Sequence, residues 1–148
     1  MSKVLYYLGL ILLLSYFFYS GTMKLRNQAY QEEQLLFQLR HLRFMVADHF
    51  GFDMPVGFFY THAKQVNIAM AVFEIGAAIG VLLGVRALCY LLIPYMLVYT
   101  VVFHHGYQYS ESNLSRIDHE QRQAFFNFCI IIGLFMVATF KGRRISGD

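Results

Sequence analysis

The sequence predicts an all-α fold: a four-helix transmembrane bundle with an amphipathic helix in its long first loop. Two observations predict it. The chain of 148 residues is 57% hydrophobic and only 14% charged. A soluble domain carries about 25% charged residues, so polar surface here is too scarce to clothe a water-soluble globule. The apolar residues also come in long blocks. Four blocks, at about 4–23, 66–85, 87–105 and 124–140, approach the ~20 residues that carry a helix across the hydrocarbon core. The length suits one domain over residues 1–148.

The first block has no charge inside. It is too long for the apolar core of a secretory signal, and Tyr-Ser-Gly at 19–21 is a poor small-x-small cleavage site. A retained span is predicted. The second block is interrupted once, by Glu74. Gly84, Val85 and Arg86 alone separate the second from the third, which forces a tight antiparallel hairpin. The last two blocks are slightly short and fit with little tilt.

The loop over 24–65 has a pattern of its own. Leu35, Leu36, Leu39, Leu42, Met45 and Val46 recur at spacings of three and four, with Glu32, Glu33, Arg40 and Arg43 between them. That is an amphipathic helix, placed on the membrane surface or capping the bundle. "HFGFDMPVG" then breaks it, with Gly51, Pro55 and Gly57 as punctuation. The polar connection over 106–122 is read as a loop with a short helix capped by Ser112 or Asn113. Lys3, Arg86, Lys141, Arg143 and Arg144 share one side, opposed only by Asp148, whereas the basic residues of the other side mix with acidic ones. The dense "KGRR" flank and the Arg86 turn favour both termini inside.

Several function classes drop out. The net charge is a modest +3, and no basic patch interleaves with aromatics as nucleic-acid binding requires. Two cysteines, Cys89 and Cys129, are too few for a disulfide framework. Their depths differ by more than the ~7 Å a disulfide spans, so two buried free thiols are predicted, which argues against a dithiol oxidoreductase. There is no phosphate loop, GxSxG, HExxH or haem-attachment motif. Tryptophan is absent, so tyrosine must supply any aromatic belt at the interfaces.

Glu74 is the sharpest single residue, because a carboxylate inside a span is expensive and must pair, face the bundle or be protonated. Spans one and three end on the face where spans two and four begin. Lys24, Glu74, His104, His105 and Asn127 therefore gather toward one leaflet as a buried polar cluster. A lysine side chain can reach inward as well as outward, so Lys24 is predicted as the counter-ion of Glu74, directly or through water. The bland alternative is that helix ends are polar anyway: Lys24 a headgroup anchor, Glu74 a structural carboxyl, the histidines mere interface polarity. No metal is expected. Adjacent histidines point about 100° apart on a helix, and Glu74 with one of them falls short of a ligand set. Gly76, Gly80 and Gly84 form GxxxGxxxG, a smooth face for close helix approach, either inside the bundle or against a partner.

"SGTMKL" closing span one, "FEIGAAIGVLLG" in span two and "VVFHHG" ending span three resemble the DoxX-like family of small four-helix membrane proteins, and within it the acetylcholine-receptor chaperone branch. The resemblance implies Gly21, Lys24, Glu74 and Gly80 as signature residues. It also implies three functional classes: quinol-linked oxidation, assembly of other membrane proteins, and accessory subunits of large complexes. The expected function is a non-catalytic accessory or assembly subunit of a membrane complex, respiratory-chain type first, in the mitochondrial inner membrane. An endoplasmic-reticulum chaperone for a receptor or channel is one alternative. A quinone-linked oxidoreductase using Glu74 and His104 or His105 for proton transfer is the other. The expected partners are the lipid bilayer and other membrane subunits, with no nucleic acid. No cofactor is expected, a bound quinone or lipid being left open.

Overall fold

The computed structural model describes residues 3–104 and 114–139. They form five helices and, among the described residues, no strand: α1 (Lys3–Arg26), α2 (Gln28–Phe50), α3 (Gly57–Leu82), α4 (Ala87–Phe103) and α5 (Leu114–Thr139). Three are long and apolar enough to cross a membrane, over Tyr6–Arg26, Gly57–Leu82 and Gln121–Thr139. The fourth apolar helix, α4, has 17 residues, about 26 Å at the helical rise.

The long first loop is mostly helix. Only Asn27, at φ −113° and ψ 48°, leaves helical geometry between α1 and α2. The hydrogen-bond ladder runs on across it: Asn27 N–H donates to Met23 C=O at 2.9 Å, and Gln31 N–H to Asn27 C=O at 3.0 Å. The apolar pattern begins only at Leu35 because Gln28–Gln34 is polar, yet Gln, Glu and Ala are good helix formers. Helix α2 stops at Gly51, whose φ of +63° is the left-handed cap; its N–H bonds to Ala47 C=O at 3.0 Å.

Arg43 then forks onto Asp53, Nε to Oδ1 at 2.6 Å and Nη2 to Oδ2 at 2.7 Å, tying α2 to the 51–56 connection. The guanidinium holds the exposed Asp53 carboxyl below its ordinary range. A carboxyl depressed in the fold contributes stability above its unfolded pKa and loses it as pH falls through the lower folded one. Hydrogen-exchange protection over 51–56, corrected for the intrinsic pH dependence of exchange, is therefore expected to stay flat from pH 7 to about 4 and to fall below that. Asp53→Asn should abolish this step.

Two boundaries differ from the sequence reading. α3 begins at Gly57, well before residue 66, and absorbs a local break at His62 (φ −122°, ψ 23°). α5 starts at Leu114 and runs unbroken to Thr139, so residues 114–122 belong to it and not to a separate short helix. In both cases hydropathy marks only the apolar part of a longer helix. The proposed caps Ser112 and Asn113 lie outside the described residues, as does His105.

α1 packs chiefly on α3, and α4 on α5; α2 lies against α3 and also reaches α4, while α1 and α5 barely touch. The core is one cluster in which Leu14 and Phe17 of α1 meet Ala78 of α3, Leu92 and Met96 of α4, and Leu134 of α5. α2 buries Leu35, Gln38, Leu39 and Leu42, so its apolar row is turned inward, against the helices it packs on. Cys89 is fully buried, but Cys129 is exposed, which corrects the expectation of two buried thiols. It sits on the outer side of α5 with Phe125, Phe128 and Ile132.

The three glycines of GxxxGxxxG do not act as one face. A Cβ on Gly80 would lie 2.2 Å from Leu88 Cδ1, inside the bundle. Gly76 is exposed with nothing within 4 Å, and Gly84 has φ +95°, in the turn to α4. Its Val85 neighbour donates N–H to Gly80 C=O at 2.9 Å. Alanine at an open helical position gains up to about 1 kcal/mol over glycine. Gly76→Ala is thus expected to raise, or leave unchanged, the thermal stability of the purified protein. A loss would show that something packs on Gly76.

Candidate buried polar site

The site is built where α1 and α3 come closest. Gly21 makes this possible: a Cβ there would lie 2.6 Å from Ile75 Cγ1 and 3.0 Å from the backbone oxygen of Ala71. The buried row of α3 on this side includes Asn67, Ala71 and Glu74, spaced by four and three so that they share one face. On α1 the matching row is Tyr16, Ser20 and Lys24, each four residues on.

Lys24 and Glu74 meet across this contact. Lys24 Nζ donates to Glu74 Oε1 at 2.7 Å and to Ser20 Oγ at 2.7 Å. Their side chains are 3% and 2% exposed. Tyr95 of α4 donates its hydroxyl to the same Oε1. Lys24 Nζ also stands 4.8 Å from the ring centre of Tyr99, a cation–π contact that strengthens on desolvation. Asn67 Nδ2 donates to the Lys24 backbone carbonyl at 3.3 Å, a second tie between α3 and α1. Glu74 Oε2 is buried and, among the described residues, has no hydrogen-bond partner. One carboxylate oxygen is thus held by an ammonium and a phenol, while the other faces the interior unbonded.

Asn127 is fully buried but belongs to a neighbouring network. It accepts from the Tyr16 hydroxyl at 3.3 Å and donates through Nδ2 to Thr100 Oγ1 at 3.1 Å. Thr100 in turn donates to Met96 C=O at 2.7 Å. This second network joins α1, α5 and α4; on α4 its Met96 and Thr100 each follow Tyr95 and Tyr99 by one residue, about 100° round the helix. Asn127→Leu leaves the Tyr16 hydroxyl without its acceptor. An unsatisfied buried donor costs about 1–3 kcal/mol, and detergent unfolding curves should show a loss of that size.

His104 ends α4: its N–H bonds to Thr100 C=O at 2.9 Å, and its ring centre is 6.0 Å from that of Tyr99. Of the five residues grouped by depth, then, Lys24 and Glu74 touch, His104 stands beside Tyr99, Asn127 bonds elsewhere, and His105 lies outside the described residues. Tyr95, Tyr99 and Asn67 complete the site without having been singled out. Their signal was spacing alone: Tyr95 and Tyr99 are one turn apart on α4, and Asn67 lies two turns before Glu74 on its face. Among the described residues no group of three or more His, Cys, Asp or Glu is placed to hold a metal ion.

Beside this site, where α1 and α5 barely touch, an outward-opening groove of about 440 Å³ runs between them. Leu12, Leu13, Ser15, Tyr19, Phe126 and Cys129 line it together with Tyr16 and Ile130. Compared with known proteins, the chain matches no family model, no curated protein and no solved structure.

Proposed function

We propose that the chain is a DoxX-like integral membrane protein in which α1, α3, α4 and α5 are the four spans. In this reading it serves as a non-catalytic accessory or assembly subunit of a larger membrane complex, respiratory type first. The observation that carries it is the enclosure of the charged pair. Lys24 and Glu74 are the only charged residues among those found buried, and their contacts run to Ser20, Tyr95 and Tyr99 on α1 and α4. The charge therefore fastens α1, α3 and α4 together. What the chain offers its surroundings is a set of apolar outer faces. The burial of Cys89, Leu92 and Met96 on α4 supports its place as a fourth span.

Purification from the native membrane in mild detergent, followed by native gel separation and mass spectrometry, tests this. A stable co-migrating complex is expected. Recovery of the chain alone, as 17.2 kDa units without other subunits, would end the accessory reading. Presence only on assembly intermediates would favour a chaperone instead.

The groove favours a second reading, a quinone-linked oxidoreductase. It is apolar, of the size range of small-molecule sites, and flanked by Tyr16, whose hydroxyl leads into the Asn127–Thr100 network. Here the measurement is quinone turnover by wild type and Glu74→Gln. Turnover lost in the variant supports it; equal turnover, or none in either, removes it.

A further inference from the structure

The connection from α2 to α3 is unlike a loop built for water. From Phe50 to Ala63 its only acid is Asp53, and it holds no lysine or arginine. Val56 turns inward and is buried, but Phe50, Phe52 and Phe58 stand 77%, 58% and 63% exposed. Single exposed apolar side chains are ordinary; three rings on one short connection mark an interaction site. The one charge is answered on the spot, by the Arg43 guanidinium forked onto Asp53. The length of α3 fixes the level at which these rings stand. Its 26 residues rise about 39 Å, and its far end is set by the turn that holds Arg86. The hydrocarbon core takes about 30 Å, and the core with its headgroups about 40–45 Å. Counted back from the turn, the core is used up near Lys64, which is exposed. Phe58 lies about 9 Å further along the helix, less with tilt, and so at the headgroups. The non-helical residue inside α3, His62, also falls outside the core, as irregular backbone in a span should.

We propose that the 50–58 connection docks onto the bilayer surface. Phe50, Phe52 and Phe58 enter the boundary between headgroups and acyl chains, in the leaflet where α1 ends and α3 begins. Apolar rings gain by leaving water for that boundary. The connection thereby prolongs the surface that α3 gives to lipid through the exposed Val72 and Ile79. The Arg43–Asp53 pair has a part in this. A carboxylate without a partner beside Phe52 would resist leaving water; paired, and still 67% exposed, it keeps to the headgroup side while the rings go deeper. At this level lipid is the neighbour already in place, and a protein partner would have to displace it. Docking requires α3 to cross the bilayer. It is independent of the accessory-subunit reading, because the connection can rest on lipid with or without other subunits.

The chain has no tryptophan, so Phe52→Trp supplies a single reporter, at an exposed position where folding is little affected. The full chain is placed in phosphatidylcholine vesicles, with and without bromine on the upper part of the acyl chains. Bromolipid is expected to quench the indole at position 52, and acrylamide in the water to quench it little. Quenching by acrylamide alone would put the loop in water, and quenching by neither would mean that protein covers it; each overturns the proposal. Val72→Trp is the control for the span and should be quenched by bromine deeper in the chains. If it is not, α3 does not cross and the four-span reading falls together with docking. If it is, and position 52 sees no lipid, docking alone is overturned. The second arm adds Arg43→Gln to Phe52→Trp. It bares the Asp53 carboxylate, and is expected to weaken quenching by bromolipid and strengthen quenching by acrylamide. Adding Asp53→Asn as well should restore both. A chain with both changes that stays as open to acrylamide as with Arg43→Gln alone would refute the role given to the ion pair.

Discussion

Lys24→Met is expected to lower the unfolding free energy by about 3–5 kcal/mol, the loss that follows when one partner of a buried ion pair is removed. The methionine fills much of the space, but the Glu74 carboxyl is left at 2% exposure, with only the Tyr95 hydroxyl to answer it. Replacing both members, Lys24→Met with Glu74→Leu, is expected to recover most of the loss, since apolar residues of similar volume often substitute for a buried pair at little cost. The recovery separates a fastening role from a functional one: fold regained without function regained would point to chemistry at Glu74. Unfolding in a graded detergent series measures both variants. A Lys24→Met protein within ~0.5 kcal/mol of wild type, as for surface changes, would place the lysine among the headgroups.

Gly21→Val should be nearly as damaging for a different reason. The backbone oxygen of Ala71 is already 3.0 Å from where a Cβ would stand, and Ile75 Cγ1 is nearer still. A backbone atom cannot step aside as the end of a side chain can. Overpacking of this kind costs about 1–3 kcal/mol. Because the displaced helix carries Lys24, part of the pair's energy is lost with it. Gly80→Ala is the control. Its close neighbour is Leu88 Cδ1, the free end of a flexible side chain, and a compensating gain in helix propensity of up to about 1 kcal/mol applies. Equal damage from the two substitutions would show that the α1–α3 approach has no special role.

Hydropathy located the apolar parts of α1, α3, α4 and α5, because twenty uncharged residues leave few alternatives. It missed the polar first turns of α2 and the extensions of α3 and α5, since length and apolarity report what faces lipid, not where hydrogen bonding stops. The approach of Lys24 to Glu74 was legible because two charges at one depth must resolve each other's burial. Depth fixes height along the bundle but not direction around it. For that reason Asn127, at a similar height, turned to Tyr16 and Thr100, and Tyr95 and Tyr99 entered unannounced from α4. Tyrosines are ordinary in membrane spans, and only the packing of α4 on α3 aims these two at the pair. The glycine spacing likewise reported smoothness without naming a neighbour: Gly80 faces Leu88, while Gly76 and Gly84 face open space.

The residues that close the site are far apart in the order of synthesis. Lys24 waits fifty positions for Glu74, and Glu74 a further twenty-one for Tyr95. A first span threaded into a bilayer by itself can leave its lysine in the headgroups at small cost. The third helix, bearing a lone carboxyl, is the one whose entry is dear, and the ammonium already standing at the rim is what it meets on arrival. The same ion pair that holds the finished protein together therefore sets an order on its making, with the lysine drawn inward only once the acid has come down beside it and the tyrosine closing behind them both.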